Sequence, residues 1–386
     1  MAGLLVVSGA VHRVWGTQQA GWGPLVRELD YLATRFDRLI VLAPVATSPA
    51  PPSFTPYAAP NVHLIPVKPA GGDSFAGKIE SLRAAPAYLR AITTAARDAD
   101  VVHVRCPCNI GLVACLWALM DRQKPRWAKY AGNWRPGGPE PLSYKLQRFW
   151  LESGAFGGPV TVNGRWPNQP EHVHSLVNPS FSQKELEQAI ASVASKRLSR
   201  PVRLLFAGRL EETKGVLRVV EIAAELIGRG LDVIVDLAGD GPDCDRVVSL
   251  VERKGLCDAI RLHGWLSREA LADLYRACHF VVLPSLSEGW PKVLSEGMAH
   301  GAVPVASAVS SIGQVLAETQ AGIALPTLDI EAYASAIERL VQNPDEWRRL
   351  AERGQEAAAA FTYEVYVERI MRILSAAYPS LRWTGS

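Results

Sequence analysis

Short, largely apolar runs alternate with amphipathic stretches down this chain, and the alternation starts twice. Leu4–Val7, Leu39–Leu42 and Val101–Val104 are apolar runs of strand length, and the pattern restarts at Pro201 with Val202–Ala207, Asp232–Ala238 and Ile260–His263. Runs of this kind are strands buried on both faces, which parallel sheets require, and the stretches between them read as crossover helices. The expected fold class is therefore α/β, with two doubly wound Rossmann-like domains facing a cleft. A chain of 386 residues is long enough for both. The boundaries read as an N-terminal domain over 1–182, a polar linker over 183–200, a C-terminal domain over 201–365 and a terminal segment over 366–386.

The longest apolar run after the first strand, Ile110–Met120, is too short to span a bilayer, and Met1–Val7 lacks the basic start of a signal peptide. The six cysteines form no paired framework and no CxxC spacing, so a reducing, cytoplasmic setting is expected. The eight histidines make no HExxH pattern, and a metal site is not expected. Charge is uneven. Residues 1–182 hold 18 Lys and Arg against 11 Asp and Glu, +7 of a net charge of +3. That excess suits an anionic partner, although an uneven solvated surface accounts for it equally.

Within the first half, Ser8 to Gly23 reads as a long loop carrying Gly9, Gly16, Gly21 and Gly23, without the GxGxxG of a dinucleotide site. Residues 43–60 read as a surface excursion and Lys78–Arg97 as a helix with Leu82, Tyr88, Leu89 and Ile92 inward. From Trp117 to Trp150, seven basic residues (Arg122, Lys124, Arg126, Lys129, Arg135, Lys145 and Arg148) are interleaved with Trp127, Tyr130, Trp134, Tyr144 and Phe149. Such a mixture fits a membrane interface or the stacking of sugar rings, and it also fits plain surface. No nucleic-acid recognition motif accompanies it.

The second half holds the chemistry. Leu283–Ala306 reads as strand, polar loop, helix and strand, with Pro291 at the start of the helix and Val293, Leu294, Gly297 and Met298 on one face. Glu288 in the loop and Glu296 in the helix are separated by seven residues and flank a helix N-terminus, an arrangement suited to a diphosphate ligand with several hydroxyls. The same spacing also fits an ordinary core unit. Three further loops end strands on the same expected sheet edge: Gly208–Gly215 with Arg209 and Lys214, Gly239–Pro242 with Gly241, and Gly264-Trp265. Arginine offers a planar fork and lysine a point charge, a pairing that suits a diphosphate.

The run AGRLEETKG, then LAGDGP, LHGW and LPSLSEGWPKVLSEGMAHGAVPVA, resembles the retaining nucleotide-sugar glycosyltransferases of family four, which have the GT-B fold. The match covers nearly all of 201–365, and the first half agrees only in layout. The resemblance implies a metal-independent hexosyltransferase of polysaccharide or glycolipid biosynthesis, without a cofactor. It would take a UDP- or GDP-sugar as donor and a glycan or lipid-linked saccharide as acceptor, at the inner face of the plasma membrane. It implies that Arg209 and Lys214 hold the diphosphate, that Glu288 meets the donor sugar and Glu296 the ribose, and that Gly289, Trp290, Pro291, Val293 and Leu294 line the donor. Gly241, Gly264 and Trp265 would lie nearby, with Gly21 or Gly23 approaching the phosphate, and the terminal segment would cross back onto the first domain. Relatives carry a histidine where this chain reads Ala131-Gly132-Asn133, which leaves Asn133, His103 and Arg105 as polar substitutes in the first half. A binding protein that has lost transfer, or a sugar phosphorylase, stands as the alternative.

Overall fold

The computed structural model describes residues 2–16, 18–72, 75–138 and 140–383. It divides into two compact units, Met1–Val177 with Tyr366–Ser386, and Asn178–Val365.

In the first unit the elements run β1 (Gly3–Val7), β2 (His12–Trp15), β3 (Gln18–Trp22), α1 (Gly23–Ala33), β4 (Arg38–Pro49), β5 (Phe54–Pro56), β6 (Val62–Val67) and α2 (Phe75–Arg97). They continue with β7 (Val101–Cys106), α3 (Asn109–Met120), β8 (Arg126–Tyr130), α4 (Leu142–Glu152), β9 (Val160–Val162) and β10 (Val173–Ser175). Seven strands pair in parallel in the order β10-β9-β8-β7-β1-β4-β6. Because successive strand side chains point to opposite faces, β1 feeds two cores. Leu5 and Val7 join α2, α3 and α4 on one face, while Leu4 and Val6 join α1 and the chain from Tyr366 onward on the other.

Several local expectations for this unit are corrected. The expected glycine-rich loop before α1 contains the antiparallel hairpin β2–β3. The expected surface excursion carries the end of β4, which pairs with β2, and β5, which pairs with β3. Leu82 is not inward but 75 % exposed, while Tyr88 and Ile92 are buried. In the basic aromatic segment Trp127, Tyr130, Trp134, Arg126 and Lys129 are all buried. Four of them lie in β8, which is covered on both faces, and Trp134 packs in the same core just beyond it, so these residues are core rather than an interface.

The second unit runs α5 (Gln183–Ser192), β11 (Val202–Ala207), α6 (Val216–Gly228), β12 (Val233–Ala238), α7 (Cys244–Arg253), β13 (Ile260–Gly264), α8 (Arg268–Ala277), β14 (Phe280–Leu283) and α9 (Lys292–Ala299). Then follow β15 (Val303–Ser307), α10 (Ile312–Thr319), β16 (Ile323–Leu325), α11 (Ile330–Gln342), α12 (Pro344–Ala358) and α13 (Tyr363–Ala377), whose later part belongs to the first unit. All six strands are parallel, in the order β13-β12-β11-β14-β15-β16. The order reverses between β11 and β14, which opens a crevice at the carboxyl ends of those two strands.

The expected linker is instead part of this unit. Ser182 and Glu185 form a reciprocal capping box that starts α5, and α5 packs on α9. Lys196 then donates to the carbonyls of Tyr275 (3.0 Å) and His300 (2.8 Å).

Candidate active site

The parallel strands bring the four loops singled out from the sequence to one edge of the second sheet, in the spatial order Gly264-Trp265, 239–242, 208–215 and 285–291. The last two flank the β11/β14 crevice. There Lys214 and Glu288, seventy-four residues apart, meet. Lys214 Nζ donates to both Glu288 carboxylate oxygens at 2.8 Å. The Glu288 side chain is 7 % exposed and that of Lys214 31 % exposed, so the cation faces solvent from a buried anchor.

Close backbone packing fixes this pair. Lys214 ends a short 3-10 turn, Glu212–Lys214, and the next residue, Gly215, has φ +85°. A Cβ on Gly215 would stand 2.2 Å from the Pro284 carbonyl oxygen at the end of β14, so only glycine fits. The Leu286 N–H donates to the Thr213 carbonyl (2.8 Å), and Arg218 donates to the carbonyls of Pro284 and Glu212 (2.8 Å each). Ser285 Oγ lies 2.9 Å from Glu288 Oε1 and holds the carboxylate. The neighbouring loop is equally tight, since a Cβ on Gly239 would stand 1.9 Å from the Gly208 carbonyl oxygen.

Residues 173–357 match the family described as Glycosyl transferases group 1. This segment is a group 1 glycosyl transferase domain. Among curated relatives, 161 residues are 34 % identical to the alpha-D-kanosaminyltransferase of Streptomyces kanamyceticus, covering 42 % of this chain and 42 % of that one. A stretch of 221 residues is 29 % identical to D-inositol 3-phosphate glycosyltransferase 1 of Catenulispora acidiphila, covering 54 % of this chain and 52 % of that one. The chain thus spans about half the length of the curated relatives it matches. The sucrose-phosphate synthase of Thermosynechococcus elongatus superposes with a TM-score of 0.73 at 18 % identity, over 99 % of this chain and 100 % of that one. HepE of Anabaena, solved in complex with UDP-glucose, superposes with a TM-score of 0.70 at 16 % identity, over 97 % of this chain and all of that one. The fold is that of the GT-B glycosyltransferases.

Within the group 1 domain the remaining expected residues fall into three groups. Arg209 stands 63 % exposed on the 208–215 loop, 3.1 Å from Glu211. Gly241 packs under Leu210, and Gly264, with φ +64°, precedes a half-exposed Trp265. At the start of α9, Pro291 is the N-cap rather than the first helical residue, and Val293 and Leu294 point into the core. The Trp290 ring is buried and stacks on Phe361 with centroids 4.8 Å apart. The Gly289 and Trp290 carbonyls accept from Ser311 Oγ (2.8 Å) and Asn178 Nδ2 (3.3 Å), which braces the loop ahead of the helix N-terminus. Glu296 accepts from the buried Tyr275 hydroxyl at 2.7 Å; burial, then the adjacent carboxylate, holds that phenol well above its ordinary value. Ser285, Ser311 and Tyr275 escaped the sequence reading. Ser285 directly follows the strand end and could have been found by that position, whereas Tyr275 carries no local signal.

The first-unit candidates are placed differently. His103 is fully buried in β7, stacked 3.6 Å from Trp127, with Nδ1 3.3 Å from the Trp127 carbonyl. Burial drives its basicity well below the ordinary value, so a neutral core ring replaces the expected catalytic histidine. Asn133 Oδ1 accepts from the Arg135 N–H at 3.1 Å in its own turn. Gly21 lies inside β3, with no room for a Cβ beside His12, and the Gly23 N–H donates to the Ser53 carbonyl at 2.9 Å. Gly21 thus serves the hairpin and Gly23 the start of α1 against the 53–55 segment, rather than an open phosphate loop. Arg105, with Lys129 and the Tyr366 hydroxyl, converges on the buried carboxylate of Glu28 at 2.6, 2.9 and 2.9 Å. Among the described residues no group of three or more His, Cys, Asp or Glu is placed to hold a metal ion.

Proposed function

We propose that the chain transfers a hexose-type sugar from a UDP- or GDP-sugar to a saccharide or polyol hydroxyl, with retention and without a divalent metal. The observation that carries this reading is the Lys214–Glu288 pair across the β11/β14 switch point. A diphosphate entering the crevice supplies Lys214 with a new anionic partner. The freed Glu288 carboxylate then accepts from donor-sugar hydroxyls. Lys214 and Arg209 supply the positive charge that a departing nucleoside diphosphate needs, the role a metal plays elsewhere. The α9 N-terminus adds the positive end of a helix dipole at the same edge. Retention follows when the leaving phosphate oxygen takes the acceptor proton on the sugar face it departs from, which asks for no protein base; that His103 is buried and neutral is in keeping with this route. For the acceptor, the names of the matched relatives favour a cyclitol or aminoglycoside type of polyol, with a lipid-linked saccharide as the other class.

The test is hydrolysis and transfer across a panel of nucleotide sugars, with and without chelator. Turnover of at least one donor that survives chelation and disappears in Lys214→Ala is expected. Binding of donors with no turnover of any would support the non-catalytic reading, and activity that depends on orthophosphate would support a phosphorylase.

A further inference from the structure

Helices α2, α3 and α4 cover one face of the first unit's sheet, with α3 packed against both neighbours. The outward side of α3 and α4 is unusually apolar. After Asn109, α3 contains no charged or amide side chain, and its Leu116 and Met120, one turn apart, point outward. On α4, Leu142, Leu146 and Phe149 recur at helical spacing on the outer side, while Gln147 and Leu151 face the core. These five side chains are 44–79 % exposed. A helix that is apolar all round belongs in a core or against lipid, and here only one side has found a core.

Exposed cations outnumber exposed carboxylates along these helices: Lys78, Arg83, Arg90 and Arg97 on α2, Arg122 after α3 and Lys145 on α4, against Glu80 on α2 and Asp98 and Asp100 just after it. Arg148 and Arg135 are already neutralised by Glu140 and Glu152. A second copy of this chain would present the same positive excess and repel. A bilayer with anionic headgroups complements both properties at once, burying Leu and Phe side chains at the acyl boundary while the basic stems reach headgroups.

We propose that the α3–α4 face of the first unit is a peripheral docking surface for an anionic lipid membrane. No helix among the described residues is long and apolar enough to cross a membrane, so the contact is interfacial. The proposal is independent of the transferase reading, since it involves none of the residues around Lys214 and Glu288. It narrows the basic aromatic segment singled out from the sequence to Arg122, Lys145 and Phe149, which are exposed, since Arg126, Trp127, Lys129, Tyr130 and Trp134 are buried.

Co-sedimentation of the full chain with phosphatidylcholine vesicles, with and without phosphatidylglycerol, tests it. Binding to the anionic vesicles that falls with salt is expected, weakened about tenfold or more in both Leu146→Glu/Phe149→Glu and Arg122→Glu/Lys145→Glu. All four side chains are exposed, so both variants should fold, and nucleotide-sugar turnover in solution should be unchanged. Absence of vesicle binding, or binding that neither double variant weakens, would overturn the proposal. So would a concentration-dependent dimer, without vesicle binding, that Leu146→Glu/Phe149→Glu dissolves, since the face would then pair two copies.

Discussion

Lys214 Nζ sits 2.8 Å from each carboxylate oxygen of Glu288, at the point where the second sheet reverses its strand order. The pair is half open, with the carboxylate buried and the ammonium reaching solvent. A partly exposed ion pair adds at most about 1 kcal/mol to stability, so its strict placement speaks for ligand chemistry. Lys214→Ala and Glu288→Gln are each expected to lower donor turnover by about 10²-fold or more. Thermal unfolding should shift little. Loss of turnover together with loss of the folded transition would instead make the pair structural.

Glu296 depends on Tyr275 for its orientation, through the 2.7 Å hydrogen bond. Tyr275→Phe removes that donor from a buried position and should cost about 1–2 kcal/mol of stability. If Glu296 meets the ribose, steady-state kinetics should show a raised donor KM and a nearly constant kcat. A change confined to kcat would place Glu296 elsewhere.

Gly215→Ala should be severe for its size. The new methyl meets the Pro284 carbonyl oxygen and a left-handed backbone at once, which predicts a loss of roughly 1–3 kcal/mol in denaturant unfolding. Turnover should fall further than stability explains, because the residue that moves first is Lys214.

Acid should unfold the second unit through His279. Burial, with Lys196 nearby, lowers its pKa to about 4, and its Nδ1 accepts from the Arg203 N–H at 3.0 Å. The folded state therefore binds its proton later than the unfolded state does. Stability is fully present above the unfolded value of 6.5 and falls as pH drops from there toward 4, by up to about 3 kcal/mol. His103 in the first unit is also held well below the ordinary value, chiefly by burial, so both units should weaken as pH falls below 6.5. Urea unfolding at pH 7.5 and pH 5 measures the slope, and a flat profile would contradict the buried neutral rings.

The second unit was legible in the sequence because its site is built from strand ends. Once Val202–Ala207, Val233–Ala238, Ile260–Gly264 and Phe280–Leu283 are parallel strands of one sheet, the residues just after them must share an edge, whatever the details of packing. Arg209, Lys214, Gly241, Gly264 and Glu288 could be named on that ground. The first unit offered no such handle. Its glycines and its basic aromatic segment carry local signals whose meaning depends on long-range packing, and packing reversed them. Gly21 became part of a hairpin, and Trp127, Tyr130 and Lys129 became core.

Period and turn chemistry alone thus determined the fold class, the two αβ halves and the edge where Lys214 and Glu288 lie. Tertiary structure decided which residues touch. Contacts such as Lys214 with Glu288, Tyr275 with Glu296, or Glu28 with Arg105, Lys129 and Tyr366 join chain segments through the sheet order and the cores. Tyr366 reaches Glu28 across 338 residues, and no local pattern records a pairing at that separation. Burial is likewise a property of the assembled layers, which is why His103 reads as reactive along the chain and is a neutral core ring in the fold.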